Sequence, residues 1–219
     1  RKGVAVHTGK AVADCAGKEL VLDSGESLRS EAYLVACGRR PVFPEGSFAK
    51  EHLVQKDGRL VVDDRYMTSV DGVYAIGDCV TGPMLAHKAA FDAHQVSRIL
   101  SGRAKGMPRE YSHIPAVVFS DPPLAAIGNL SGERVKVPLA SIGRAYCDDL
   151  TGGFVSLYIQ EGRVAGGVVI ASRAEDILGA LTIAVSSRVR VEDLAATVFA
   201  HPTYAEILSE AARRFLAAQ

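Results

Sequence analysis

The stretch GFVSLYIQEGRVAGGVVIAS, Gly153 to Ser172, decides the fold. Two runs rich in β-branched and aromatic residues flank Glu161-Gly162, which predicts two antiparallel strands joined by a tight turn. Upstream, IPAVVFS (114–120), PLAAIG (123–128) and RVKVPLAS (134–141) are also strand-like. Downstream the apolar period changes. Ile177, Leu181, Ala184 and Val185 share one helical face, and Ser172 with Glu175 forms an S-x-x-E capping box ahead of them. A last helix carries Ile207, Leu208, Ala211, Phe215 and Leu216. Antiparallel strands followed by helices make an α+β layer arrangement. The polar link GRAKGMPRE (102–110) precedes it, and a domain boundary is expected near residue 108.

Before that link the sequence has a different character. Residues 4–6, 19–22 and 32–36 read as short strands, with turns at Gly17 and Ser24-Gly25. GRLVVDD (58–64) reads as another strand. DGVYAIGDCV (71–80) is an apolar run ending in Gly77-Asp78, which suggests a strand buried on both faces, as in a parallel sheet. A Gly-Asp pair at the carboxyl end of such a strand lies where α/β sheets bind ligands. A helix is expected next, with Pro83 at its first position, Leu85, Ala89, Ala93, Val96 and Leu100 on its apolar face, and Gly102 as its stop.

Composition sets outer limits. The 219 residues carry 25 Lys+Arg against 25 Asp+Glu, without a basic block or acidic tail, so neither nucleic acid nor a membrane surface is an expected partner. No apolar stretch has the roughly 18 residues of a span. A soluble cytoplasmic protein is the expectation. Cys15, Cys37, Cys79 and Cys147 are widely spaced, unlike metal-ligand or redox pairs, and read as small packing residues; no metal site is expected.

HPTYAE, His201 to Glu206, sets an imidazole and a carboxylate five residues apart. Two readings stand side by side. Thr203 and Glu206 can form a T-x-x-E capping box for the last helix, or Glu206 can orient His201 for proton transfer.

Taken in order, YLVACGRRP, GVYAIGDCVTGPMLAHKAA, IPAVVFSDPPLAAIG, GRAYCDDLTGGFV and HPTYAE resemble the C-terminal half of the flavin-dependent pyridine-nucleotide disulfide oxidoreductases, most of all the members that oxidise dihydrolipoyl groups. The likeness implies a mixed α/β and α+β chain. Residues 1–40 would close an NAD-binding domain, 41–108 would form a segment contacting FAD, and 109–219 would be an α+β dimerisation domain. It implies that Gly38 lines the NAD site, with Arg39 and Arg40 either on phosphate or in surface ion pairs. Asp78, approached through Gly77, would accept hydrogen bonds from flavin hydroxyls. The helix opening at Met84, Leu85, Ala86 and His87 would face the electron-accepting edge of the flavin, mainly through backbone N–H groups. His201 and Glu206 become the acid/base dyad, the carboxylate orienting the ring and raising its basicity, with a cis His201–Pro202 bond.

In that family the dyad serves a redox disulfide on the opposite subunit. Its C-x-x-x-x-C pair, and the G-x-G-x-x-G of the nucleotide-binding unit, do not occur in these residues. The expectation is therefore a piece of a longer FAD- and NAD-dependent enzyme, inactive by itself. It would dimerise through its C-terminal domain and act with a lipoyl-bearing protein or a small disulfide substrate. A glutathione-reductase-like enzyme and a catalytically silent dimerisation module are the alternatives. Phe199, where a second histidine is usual, and Ser156, where lysine is frequent, are departures that bear on the substrate more than on the family.

Overall fold

The computed structural model describes residues 3–106 and 110–219. The expected boundary near residue 108 lies outside the described residues. The chain divides into two compact units, one ending at Arg39 and the other running from Arg40 to Gln219.

The first unit holds a three-stranded antiparallel meander, β1 (Val12–Ala16), β2 (Glu19–Leu22) and β3 (Ser27–Arg29). β2 lies where the sequence placed it, and Gly17 and Gly25 make the turns with positive φ. The outer strands do not. Residues 4–6 and 32–36 form no strand; Leu34 and Val35 are 91% and 83% exposed. Val4 and Val6 are exposed as well, so propensity alone does not order these runs as strands.

The second unit begins with a short helix α1 (Phe48–His52), capped by the Ser47 side chain, and a small hairpin of β4 (Gln55–Lys56) and β5 (Arg59–Leu60). Leu53, Leu60, Val62, Ala75 and Val80 cluster around it. The run 71–80 is not the expected parallel strand. It is held by two isolated bridges, Met67 to Tyr74 antiparallel and Leu60 to Val80 parallel, and it ends in a 3-10 turn at Gly77–Cys79. The positive φ of Gly77, 73°, turns the backbone out of the β region before a ladder can extend.

Helix α2 (Ala86–Leu100) follows, and Gly102, with φ 71°, ends it as expected. Pro83 lies before the helix instead of inside it. The face of α2 also differs from expectation: its buried residues are Lys88, Asp92, Gln95 and Ile99, while Ala93 and Leu100 are exposed. The apolar stripe was legible, but a paired lysine and aspartate displace it from the interior.

The remainder is one layered domain. β6 (Ala116–Val118), β7 (Leu124–Gly128), β8 (Glu133–Pro138), β9 (Gly153–Gln160) and β10 (Arg163–Ala171) form an antiparallel sheet of order β6-β7-β10-β9-β8. The quoted hairpin is its centre, with Arg163 opposite Gln160 and Ala171 opposite Gly153. Between β8 and β9 lie a 3-10 turn and helix α3 (Gly143–Cys147). Helices α4 (Ala174–Ser186), α5 (Val191–Ala196) and α6 (Glu206–Ala217) close the layer. α4 packs on β10 and β7, α6 on β8 and β9, and α5 on α6. Ile177, Leu181, Ala184 and Val185 of α4, and Ile207, Leu208, Ala211 and Phe215 of α6, are buried in one core with Val155, Leu157 and Val169. Each buried Ile, Leu, Val or Phe side chain among them contributes about 1.5–3 kcal/mol on leaving water. The expected Ser172 box at α4 does not form: Arg173 is the N-cap residue and no side chain caps the turn. Instead the guanidinium of Arg173 pairs with Asp176 at 2.8 Å.

Candidate functional site

The side chains singled out by the sequence fall into two groups within the second unit. Gly38 belongs to the first unit, where it is exposed with φ 105°.

The first group surrounds the turn at Gly77–Asp78. Gly77 is buried, and a Cβ at this position would sit 3.2 Å from the Cβ of Ala89 on α2, so the turn approaches the helix backbone closely. Asp78 is half-buried in the first turn of the 3-10 segment. Leu85 is the N-cap of α2 in extended conformation, and no side chain caps the helix. The N–H groups of its first turn, at Ala86, His87 and Lys88, therefore point beyond the helix end with the positive end of its dipole. Met84 and Leu85 are half-buried, while Ala86 and His87 are exposed. The Nε2–H of His87 donates to the carbonyl of Pro115 at 2.6 Å, so this side chain ties α2 to the segment entering β6. Arg59 donates to the carbonyls of Val80 and Gly82 at 3.0 and 2.8 Å and fixes the link between turn and helix.

Sequence reasoning missed what lies beneath. Lys88 and Asp92 are both fully buried and form an ion pair at 2.8 Å. The hydroxyls of Tyr66 and Tyr111 each donate to Asp92 Oδ1 at 3.0 Å. Burial, then the Asp92 charge, pushes the Tyr111 hydroxyl far above its ordinary pKa, so it stays a donor. The i, i+4 spacing was visible but is equally that of a solvated surface pair.

The second group is the dyad. His201 Nδ1 donates to Glu206 Oε1 at 2.9 Å, and the Thr203 N–H donates to Glu206 Oε2 at 2.7 Å. Thr203 Oγ1 instead donates to the Ala200 carbonyl at 2.7 Å. The two readings of HPTYAE thus merge: Glu206, first residue of α6, makes the carboxylate half of the capping box and holds the ring with its other oxygen. The backbone N–H of Thr203, and after it His201, lower the pKa of the Glu206 carboxyl. The His201–Pro202 bond is cis. The imidazole is 74% exposed and the carboxylate 23%, so the ring is presented to solvent on a sheltered anchor. Gly143, at the start of α3, lies under the ring, where a Cβ would be 3.5 Å from His201 Cε1.

A second clasp holds this loop. Tyr204 is buried, and its hydroxyl donates to Asp148 Oδ2 at 2.8 Å; Arg144 pairs with the same oxygen at 2.9 Å. The Tyr204 hydrogen bond, then Arg144, holds the Asp148 carboxyl below the usual carboxylate range. With Nδ1–H committed to Glu206, the neutral ring carries its lone pair on Nε2, the geometry of a general base oriented by a carboxylate.

The antiparallel sheet backed by helices, with this dyad at the head of its last helix, is one half of a known architecture. Residues 1–93 match the family described as pyridine nucleotide-disulphide oxidoreductase, and residues 114–212 match the dimerisation domain of the same family. The chain belongs to the pyridine nucleotide-disulphide oxidoreductases. Among individual relatives it is 34% identical over 199 residues to dihydrolipoyl dehydrogenase of Geobacillus stearothermophilus, covering 85% of this chain and 42% of that one. It is 35% identical over 201 residues to the Staphylococcus aureus enzyme of the same name, covering 86% and 42%. The chain thus spans less than half the length of these curated relatives. The crystal structure of LpdA from Mycobacterium tuberculosis is similar with a TM-score of 0.83 at 27% identity, over 97% of this chain and 50% of that one. The HOCl-induced flavoprotein disulfide reductase RclA of Escherichia coli shares the fold, with a TM-score of 0.77 at 22% identity over 91% and 48%. Among the described residues no group of three or more His, Cys, Asp or Glu could hold a metal ion, and no helix is long and apolar enough to cross a membrane.

Proposed function

We propose that this chain works within an FAD- and NAD-dependent disulfide oxidoreductase that oxidises dihydrolipoyl groups, and that His201 is its proton acceptor. The observation that carries this reading is the geometry of the dyad: an exposed imidazole whose Nδ1–H is held at 2.9 Å by a carboxylate anchored in turn by a backbone N–H. In the step assigned to it, His201 Nε2 takes the proton of a substrate thiol. The thiolate left behind attacks one sulfur of a disulfide supplied by another polypeptide, breaking the S–S bond and releasing its other sulfur as a thiolate, and Glu206 keeps the imidazolium in place.

The residues around Gly77 fit a flavin by the chemistry they offer. Asp78 supplies an acceptor for hydroxyl groups, and the uncapped start of α2 supplies N–H donors for an anionic edge. Gly77, Asp78, Met84, Leu85, Ala86 and His87 would hold it, and Gly38 would line the NAD site. When bound, FAD would relay electrons from the thiols to NAD.

We read residues 1–40 as part of an NAD-binding domain, 41–108 as the flavin-contacting segment and 109–219 as the interface domain. A second copy of the chain is the proposed partner, supported by the match to a dimerisation domain and by exposed Phe119, Ile183 and Val198, which are 82%, 68% and 94% accessible. Its cysteines are free, three of them exposed, which suits a reducing compartment, and we place it in the cytoplasm. Assays of the full-length gene product with dihydrolipoamide, glutathione disulfide and mercuric ion test the substrate. Turnover of dihydrolipoamide with NAD supports the reading; turnover of glutathione disulfide alone replaces it with the alternative reductase.

A further inference from the structure

The fully buried pair Lys88–Asp92 holds both polar backbone groups of one residue. Lys88 Nζ donates to the Gly77 carbonyl at 2.9 Å, and the Gly77 N–H donates to Asp92 Oδ2 at 3.0 Å. The pair itself closes at 2.8 Å on successive turns of α2, and the two tyrosine hydroxyls fill Asp92 Oδ1. The Lys88 ammonium also lies 4.8 Å from the centre of the Tyr111 ring. Two arms of this network end on Gly77, and the others join the helix to Tyr66 and Tyr111.

Stability alone does not account for it. Two charges buried completely lose their hydration, and their attraction roughly offsets that loss; apolar residues of equal volume often serve the fold as well or better. What apolar residues cannot do is fix the direction of a peptide N–H and a peptide C=O at the same time. We propose that Lys88 and Asp92 are positioning residues that lock the Gly77–Asp78 turn to the N-terminus of α2, so that the Asp78 carboxylate and the first-turn N–H groups meet one ligand as a single rigid unit. This rests on the reading that these groups contact the flavin.

The test uses the full-length gene product carrying Lys88→Met with Asp92→Leu. This double change removes both hydrogen bonds to Gly77 while leaving an apolar pair of similar bulk and no unpaired buried charge, so a folded protein is expected. Three readouts are expected: amide exchange across residues 74–80 faster by roughly tenfold, FAD bound roughly tenfold more weakly, and a shifted flavin absorption band, each step of tenfold reflecting the loss of about one to two hydrogen bonds. A folded double variant with unchanged exchange and unchanged FAD affinity overturns the proposal. Should that variant not fold, Lys88→Met with Asp92→Asn removes the bond to the Gly77 carbonyl together with the ion pair and leaves no buried charge unpaired, and a roughly threefold effect in the same two measurements is expected; no effect overturns it. Unmodified protein that binds no FAD removes the flavin reading instead, and the exchange measurement still decides whether the pair holds the turn.

Discussion

Replacing Glu206 by alanine tests the local energetics on which the dyad stands. The carboxylate accepts the Thr203 N–H at 2.7 Å and His201 Nδ1–H at 2.9 Å. A hydrogen bond to a charged group contributes about 1.5–3 kcal/mol, and the partial exposure of Glu206 places the Thr203 bond near the lower end. The link to the largely exposed ring adds about 0.5 kcal/mol. Glu206→Ala is therefore expected to lose about 2 kcal/mol at pH 7, and Glu206→Gln, whose single carbonyl oxygen keeps one acceptor, about 1 kcal/mol. The folded carboxyl titrates below its ordinary value of 4.5, so its contribution is complete above that value and disappears as pH falls through the lower folded pKa. Urea unfolding of the three proteins at pH 7 and near pH 3 measures this. The curves should separate at neutral pH and converge in acid. A Glu206→Ala protein within about 0.5 kcal/mol of the parent at pH 7, or a deficit that persists undiminished near pH 3, refutes the reasoning.

Three further outcomes follow from single contacts. Tyr204→Phe removes the 2.8 Å bond to Asp148 from a buried site, and a loss of about 1 kcal/mol in urea unfolding is expected, with the Asp148 carboxyl moving back toward its ordinary pKa in a titration followed by NMR. Leu181→Ala empties a fully buried position between α4 and the sheet and is expected to cost about 2–5 kcal/mol by the same measurement. Gly128→Ala places a Cβ about 2.2 Å from the Ala165 carbonyl oxygen at φ 79°, so a thermal melt should show a loss larger than the roughly 1 kcal/mol of an ordinary strained substitution.

The parts of the fold that were legible are those where one physical signal acts alone. Two strand-like runs and a Glu161-Gly162 turn were enough to place the central hairpin, expected over 153–172 and found over 153–171, since both strands lie inside the sheet and both ends are fixed by pairing. Helices α4 and α6 were legible because their apolar stripes meet an apolar sheet. α2 was misread on one face because a lysine and an aspartate four residues apart look the same whether they pair in water or in the core. The run at 71–80 was misread because its apolar content is real while its backbone is governed by Gly77 and by side-chain bonds from α2, which no periodicity reports. In the dyad, spacing left two roles open for Glu206, and only the fold shows that one carboxylate fills both. Tyr204, Asp148 and Arg144 lie in stretches that carried the family likeness, but their contact with one another became visible only when the fold joined them.

The central claim is that the ring of His201 takes the substrate proton, and the rate of dihydrolipoamide oxidation by full-length protein carrying His201→Gln tests it most directly. With FAD content equal to that of the parent, kcat/KM is expected to fall by about 10²–10⁴ at pH 7. A His201→Gln protein that turns over dihydrolipoamide within a few-fold of the parent contradicts it.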